Sequence, residues 1–221
     1  MKTITFNRPD GKAINGYYAE PSGGSEAPAI VVIQEWWGLN DQIKGAANRL
    51  TAAGFRTLVP DLYRGKVTVE AQEAHHLMSN LNFGDAAGQD VGGAVRYLKT
   101  NSRKVGVTGF CMGGALTLLA AVNVPDADAA ATWYGYPPLE YVDASKIKAP
   151  LLGHFSIDDA FFSISGVDEL EKKLRAAGVE FEFHRYKAGH AFANETGPNY
   201  NREAAELAFQ RTVEFFTRTL R

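Results

Sequence analysis

The 221-residue chain is expected to fold as an α/β domain, with a mostly parallel central sheet, an N-terminal antiparallel hairpin and helices on both faces. Three observations predict this. From residue 29 onward, short β-rich apolar runs alternate with longer helical segments. Two alternating runs joined by a turn come before them. Lys104–Ala121 then compresses a strand, a glycine-rich turn and an apolar helix into one passage. The length suits one domain spanning residues 1–221 with a full core.

In chain order, Thr3–Asn7 and Ile14–Glu20 flank the turn Arg8-Pro9-Asp10-Gly11 and read as a hairpin at a sheet edge. Pro21–Pro28 reads as a surface loop, and Ala29–Gln34 as a buried parallel strand. A helix is expected around Asp41–Ala53, a strand at Arg56–Val59, and helical stretches within Val69–Leu81 and Asp85–Thr100. Strands follow near Ala129–Tyr134, Pro150–Phe155 and Glu180–Tyr186, with helices near Ser165–Ala177 and Tyr200–Thr219. Right-handed crossovers place the loops after the parallel strands along one rim, where ligands bind in such sheets.

Bulk composition narrows the function classes. Twenty-three Lys and Arg nearly balance 25 Asp and Glu, and no basic stripe offers phosphate contacts, so nucleic acid is not expected as a partner. The single cysteine allows no internal disulfide and no cysteine-rich zinc site. No stretch approaches the ~20 apolar residues of a membrane helix, and the first residues lack the apolar core of a signal peptide. These features imply a cytoplasmic protein, monomeric or weakly dimeric, with no membrane partner. No cofactor or metal is expected: His75 and His76 are adjacent, so on a helix they point about 100° apart, and no further ligand accompanies them.

The chemistry centres on Gly109-Phe110-Cys111-Met112-Gly113, a G-x-nucleophile-x-G elbow with cysteine in the nucleophile position. A side chain at either glycine would collide with the neighbouring strand or helix, so Cys111 is pushed outward at a helix N-terminus. There the backbone amides and helix dipole are expected to favour the thiolate. His190, in Lys187-Ala188-Gly189-His190-Ala191-Phe192, follows a late strand and is placed to accept the thiol proton and return it to a leaving group. His154-Phe155-Ser156-Ile157-Asp158-Asp159 supplies an acid between them in sequence; spacing alone leaves Asp158 and Asp159 open. Nucleophile, acid, histidine is the chain order of α/β-hydrolases. Gln34-Glu35-Trp36-Trp37-Gly38 then nominates the backbone N–H groups of Trp36 and Met112 as an oxyanion hole. Glu35 beside two tryptophans needs a partner, either in the chemistry or in a structural salt bridge.

With these motifs and Pro60-Asp61-Leu62-Tyr63, the chain resembles the dienelactone hydrolase family (carboxymethylenebutenolidases) over nearly its whole length. The resemblance implies a Cys111–Asp159–His190 triad, with the acid of the His-x-x-x-x-Asp motif at Asp159. It also implies that Glu35 pairs with the nucleophile at rest or helps deprotonate it, and that Tyr134 lies near the site. The implied chemistry is hydrolysis of a lactone or activated ester through a thioester. Trp37, His75, Tyr134, Phe161 and Asn194 are the expected substrate-binding residues. One departure bears on the substrate: where the family carries arginines for a substrate carboxylate, this chain has Asn194 and an arginine-free Ala71–His76 stretch, which implies a less anionic substrate. A thiol redox protein would use Cys111 but give Asp159 and His190 no part, and a non-catalytic binding module would leave Cys111 unreactive.

Overall fold

In the computed structural model, which describes residues 1–221, eight strands form one sheet. They are β1 (Lys2–Asn7), β2 (Ala13–Ala19), β3 (Ala29–Ile33), β4 (Arg56–Pro60), β5 (Val105–Phe110), β6 (Ala129–Trp133), β7 (Leu151–Asp158) and β8 (Phe181–Gly189). The spatial order is β1-β2-β4-β3-β5-β6-β7-β8; β1 and β2 run antiparallel to their neighbours, and every later pairing is parallel. The predicted edge hairpin and parallel sheet are both present. β3 and β5, the central pair, are buried throughout, which explains their unbroken apolar reading.

Side-chain alternation distributes these strands between two cores. Val31 and Ile33 of β3 join Val105 and Val107 of β5 on one face, under the elbow helix Met112–Asn123 and the helical segment 83–99. Ile30 and Val32 face the other way, toward helix Asp41–Ala52 and the C-terminal helix Arg202–Leu220. Each such buried side chain contributes about 1.5–3 kcal/mol. The elbow helix shows no amphipathic pattern because eleven of its twelve residues are buried. Asn40, Ser163 and Asn201 cap the helices that start at Asp41, Ile164 and Arg202, their side chains accepting from Ile43, Gly166 and Ala204 N–H.

Two departures from the expected elements matter later. The 83–99 segment widens into a π-helical stretch, Ala86–Val91, before continuing as Gly92–Lys99. Within it the buried Asp90 carboxylate receives Arg8 at 3.0 Å and Arg64 at 2.9 Å. β7 and β8 run to Asp158 and Gly189, with a register irregularity between Ser156 and Asp158. The strands thus deliver Asp159 and His190 directly to the rim.

Candidate active site

The elbow between β5 and its helix puts Cys111 in the left-handed region, at φ 56°. The flanking glycines are steric requirements. A Cβ on Gly109 would strike the Gly113 carbonyl, and one on Gly113 would lie 2.5 Å from the Ile33 carbonyl oxygen. Cys111 N–H donates to Trp133 O at 3.0 Å, fixing the turn against β6, while the Met112 N–H faces the cysteine sulfur.

His190 links the nucleophile to an acid. Its Nε2 lies 3.1 Å from Cys111 Sγ and its Nδ1 2.8 Å from Asp159 Oδ2. A proton on Nδ1 donated to the carboxylate leaves Nε2 free to accept from the thiol. Asp159 Oδ1 accepts from the N–H groups of Phe161 (2.8 Å) and Phe162 (3.0 Å), so both carboxylate oxygens are held. Asp158 is exposed and takes no part. The imidazole sits among three aromatic rings: Phe161 at 4.9 Å, Tyr134 at 5.4 Å and Phe162 at 5.6 Å.

The resting nucleophile differs from expectation. Burial pushes the Cys111 thiol well above its ordinary range, and the negative charges of Glu35 and Asp159 push the same way; only the Met112 N–H opposes them. Desolvation opposes the helix terminus, so the pull on the sulfur is toward the thiol and not toward the expected thiolate. The group in contact with the sulfur that can take its proton is His190 Nε2.

Glu35 is buried without a cation, so the structural salt bridge is not its role. Tyr134 O–H donates to its Oε1 at 3.2 Å and Asn194 Nδ2 to its Oε2 at 2.7 Å. Desolvation raises its pKa, opposed by the Asn194 bond, the His190 charge and the Tyr134 bond. Asn194 cannot turn away, because its Oδ1 accepts from Thr196 N–H (3.0 Å) and Thr196 Oγ1 (2.7 Å).

Several expected substrate contacts fall elsewhere. Asn194 and Tyr134 are buried and spent on Glu35. His75, exposed on the helix Ala71–Ser79, hydrogen-bonds only Ser79 and is not joined to the cluster. Trp37 is half-buried, packed 5.0 Å from the Trp36 ring. Phe161 lies over His190 yet is 72 % exposed, an open apolar surface at the mouth. The Trp36 N–H donates to no acceptor within the protein. Sequence reasoning missed Thr196, whose Asn-x-Thr spacing is the signal for the Asn194 lock, and gave Tyr63 no role beyond its motif. No group of three or more His, Cys, Asp or Glu side chains is placed to hold a metal ion.

The comparisons agree with this architecture. The family model described as "Dienelactone hydrolase family" matches residues 14–220. "Protein usf" of Aquifex pyrophilus is 35% identical over 219 residues, covering 94% of each chain. A protein named "Putative carboxymethylenebutenolidase" in Methylorubrum extorquens is 32% identical, covering 92% of this chain and 76% of its own. Among solved structures, a Klebsiella pneumoniae protein titled "Putative Dienelactone Hydrolase" superposes with a TM-score of 0.87 at 26% identity, covering 98% of each chain. With the α/β-hydrolase sheet, the elbow and a match over nearly all of its length, this chain belongs to the dienelactone hydrolase family and is a carboxylic ester hydrolase.

Proposed function

We propose that the protein hydrolyses neutral lactones or activated esters through a thioester on Cys111. The observation that carries this reading is the continuous Cys111–His190–Asp159 hydrogen-bond chain beside the unengaged Trp36 N–H. As the sulfur attacks the carbonyl carbon, its proton passes to His190 Nε2, and Asp159 stabilises the imidazolium. The carbonyl oxygen becomes an oxyanion received by the Trp36 and Met112 N–H groups. Collapse breaks the C–O bond; the alkoxide leaves with the proton from His190, and the acyl group stays on sulfur. Water, deprotonated by His190, then attacks the thioester, and collapse of the second oxyanion releases the acid and restores the thiol.

The substrate class follows from the charges at the mouth. Arg64 grips Asp90 and Arg202 pairs with Glu206, while the position four residues after His190 is Asn194, which holds Glu35 and brings no guanidinium to a substrate carboxylate. Phe161, Phe162 and Trp37 offer apolar surface instead. Cys111→Ala should abolish hydrolysis of a nitrophenyl ester, and kcat/KM should favour neutral over carboxylated members of a matched lactone panel. Retained activity in the alanine variant overturns the nucleophile, and preference for the carboxylated lactone overturns the substrate class.

A further inference from the structure

Tyr63 stands early in the loop that follows β4, three residues after Pro60, and is only 6% exposed. Its hydroxyl has a single partner, the Met112 thioether sulfur at 3.3 Å. A thioether is a weak acceptor, so this buried O–H is under-engaged compared with the hydroxyl of Tyr134, which has a carboxyl to donate to. Tyr63 also packs in the core cluster that holds the Met112 side chain and receives the Trp36 side chain. These are the two residues whose N–H groups line the proposed oxyanion position.

Resting on the reading of Cys111 as nucleophile, we propose that Tyr63 is a third oxyanion donor: its O–H leaves the Met112 sulfur and donates to the oxygen of the tetrahedral intermediate on Cys111. The exchange replaces a poor acceptor by an anionic one only when the charge has formed. That is the condition for lowering a barrier without tightening substrate binding. Burial holds the phenol protonated, pushing its pKa up, and charge on Cys111 adds to this. The phenol is therefore favoured in the protonated form that can donate. The loop is pinned from behind, because Arg64, the next residue, chelates Asp90 through both carboxylate oxygens at 2.9 and 3.1 Å.

The test separates oxyanion donation from packing, because iodoacetamide alkylates Cys111 by displacement at carbon and forms no oxyanion. In Tyr63→Phe, acylation measured from the nitrophenol burst should slow by roughly 10- to 100-fold with little change in KM, while the alkylation rate at the same pH stays within about twofold of wild type. Unchanged acylation overturns the proposal. Parallel losses in acylation and alkylation also overturn it, since they mean the phenol only holds the elbow in place. Cys111→Ala run alongside keeps the two readings distinct: activity surviving there removes the nucleophile itself, whatever Tyr63→Phe does. If the phenylalanine variant does not fold, 3-fluorotyrosine at position 63 keeps the ring and hydroxyl. Its fluorine resonance should move when a trifluoromethyl ketone adds to Cys111 and stay in place when iodoacetamide does; no movement with the ketone refutes the contact.

Discussion

Replacing Glu35 by glutamine tests what a buried, cation-free carboxyl does beside a nucleophile. The hydrogen bonds determine how glutamine sits. Thr196 holds the Asn194 carbonyl, so Asn194 Nδ2 keeps pointing at residue 35 and needs an acceptor there. Glutamine supplies its Oε1 to Asn194 and turns Nε2 toward Tyr134, whose hydroxyl can rotate and accept. Both contacts survive, so their net cost stays within about 1 kcal/mol. Ionisation works in the opposite direction. Burial raises the Glu35 pKa in the folded protein above its unfolded value, so its contribution to stability is full below about pH 4.3 and is lost as pH rises through the folded pKa. The melting temperature of Glu35→Gln relative to wild type should therefore climb as pH rises above ~4.3. At the nucleophile, the Glu35 charge adds to burial in raising the thiol. Removing that charge leaves less to oppose the thiolate, so the midpoint of Cys111 alkylation should fall by on the order of one pH unit. Turnover per folded molecule should drop at least roughly tenfold if the carboxyl acts in proton transfer. An unmoved alkylation midpoint together with normal turnover would refute this account of Glu35.

Two further substitutions probe the frame around it. In Asp159→Asn, the new Oδ1 keeps the Phe161 and Phe162 N–H groups, and Nδ2 is forced toward His190 Nδ1, which selects the tautomer with a proton on Nε2 facing the thiol; kcat should fall by roughly 10⁴ with little change in melting temperature, and a loss below tenfold counts against Asp159. In Gly113→Ala, the new Cβ would lie 2.5 Å from the Ile33 carbonyl and 2.6 Å from that of Gln34; thermal unfolding should show a loss of about 1–3 kcal/mol, and hydrolysis should fall further as the Trp36 loop shifts.

What could be read from the sequence was what local sterics and period-two patterning write into it. The elbow glycines announce themselves because no other residue fits between β5 and its helix, and β3 declares its burial by having no polar face. His190 and the pair Asp158 and Asp159 were findable as polar residues at strand ends, and only the family resemblance singled out Asp159. Features that depend on distant partners were not legible. The buried Asp90 of the π-helical stretch has no visible partner until Arg8, 82 residues away in sequence, reaches its carboxylate. Asn194 reads as a free polar residue until Glu35, 159 residues away, receives it. His154 of the His-x-x-x-x-Asp motif turns out to be a core residue, with both ring nitrogens bonded, to Tyr186 and Thr212. The upward push on the Cys111 thiol was hidden for the same reason. A helix N-terminus is visible in sequence, whereas the desolvation that overrides it comes from side chains assembled across the whole sheet.

The charge inventory of the mouth connects Glu35 to the choice of substrate. Two buried acids, Asp159 and Glu35, lie within reach of one base, His190, and no lysine or arginine side chain bonds either acid. Asp159 spends its oxygens on His190 and two backbone amides, and Glu35 spends its own on Asn194 and Tyr134. A substrate carboxylate would enter as a third anion, and its removal from water would cost several kcal/mol with no guanidinium to offset it. The position four residues after His190 could supply that cation only as a longer, charged side chain; as asparagine it is buried and committed to Glu35. A neutral acyl group meets no such opposition. It can lie against the exposed Phe161 ring, and in the proposed mechanism the one negative charge that must form, on the carbonyl oxygen, is received by the Trp36 and Met112 N–H groups. In the proposed reading, discrimination against a carboxylated substrate rests on the same absence of a cation that leaves Glu35 with only neutral hydrogen-bond donors.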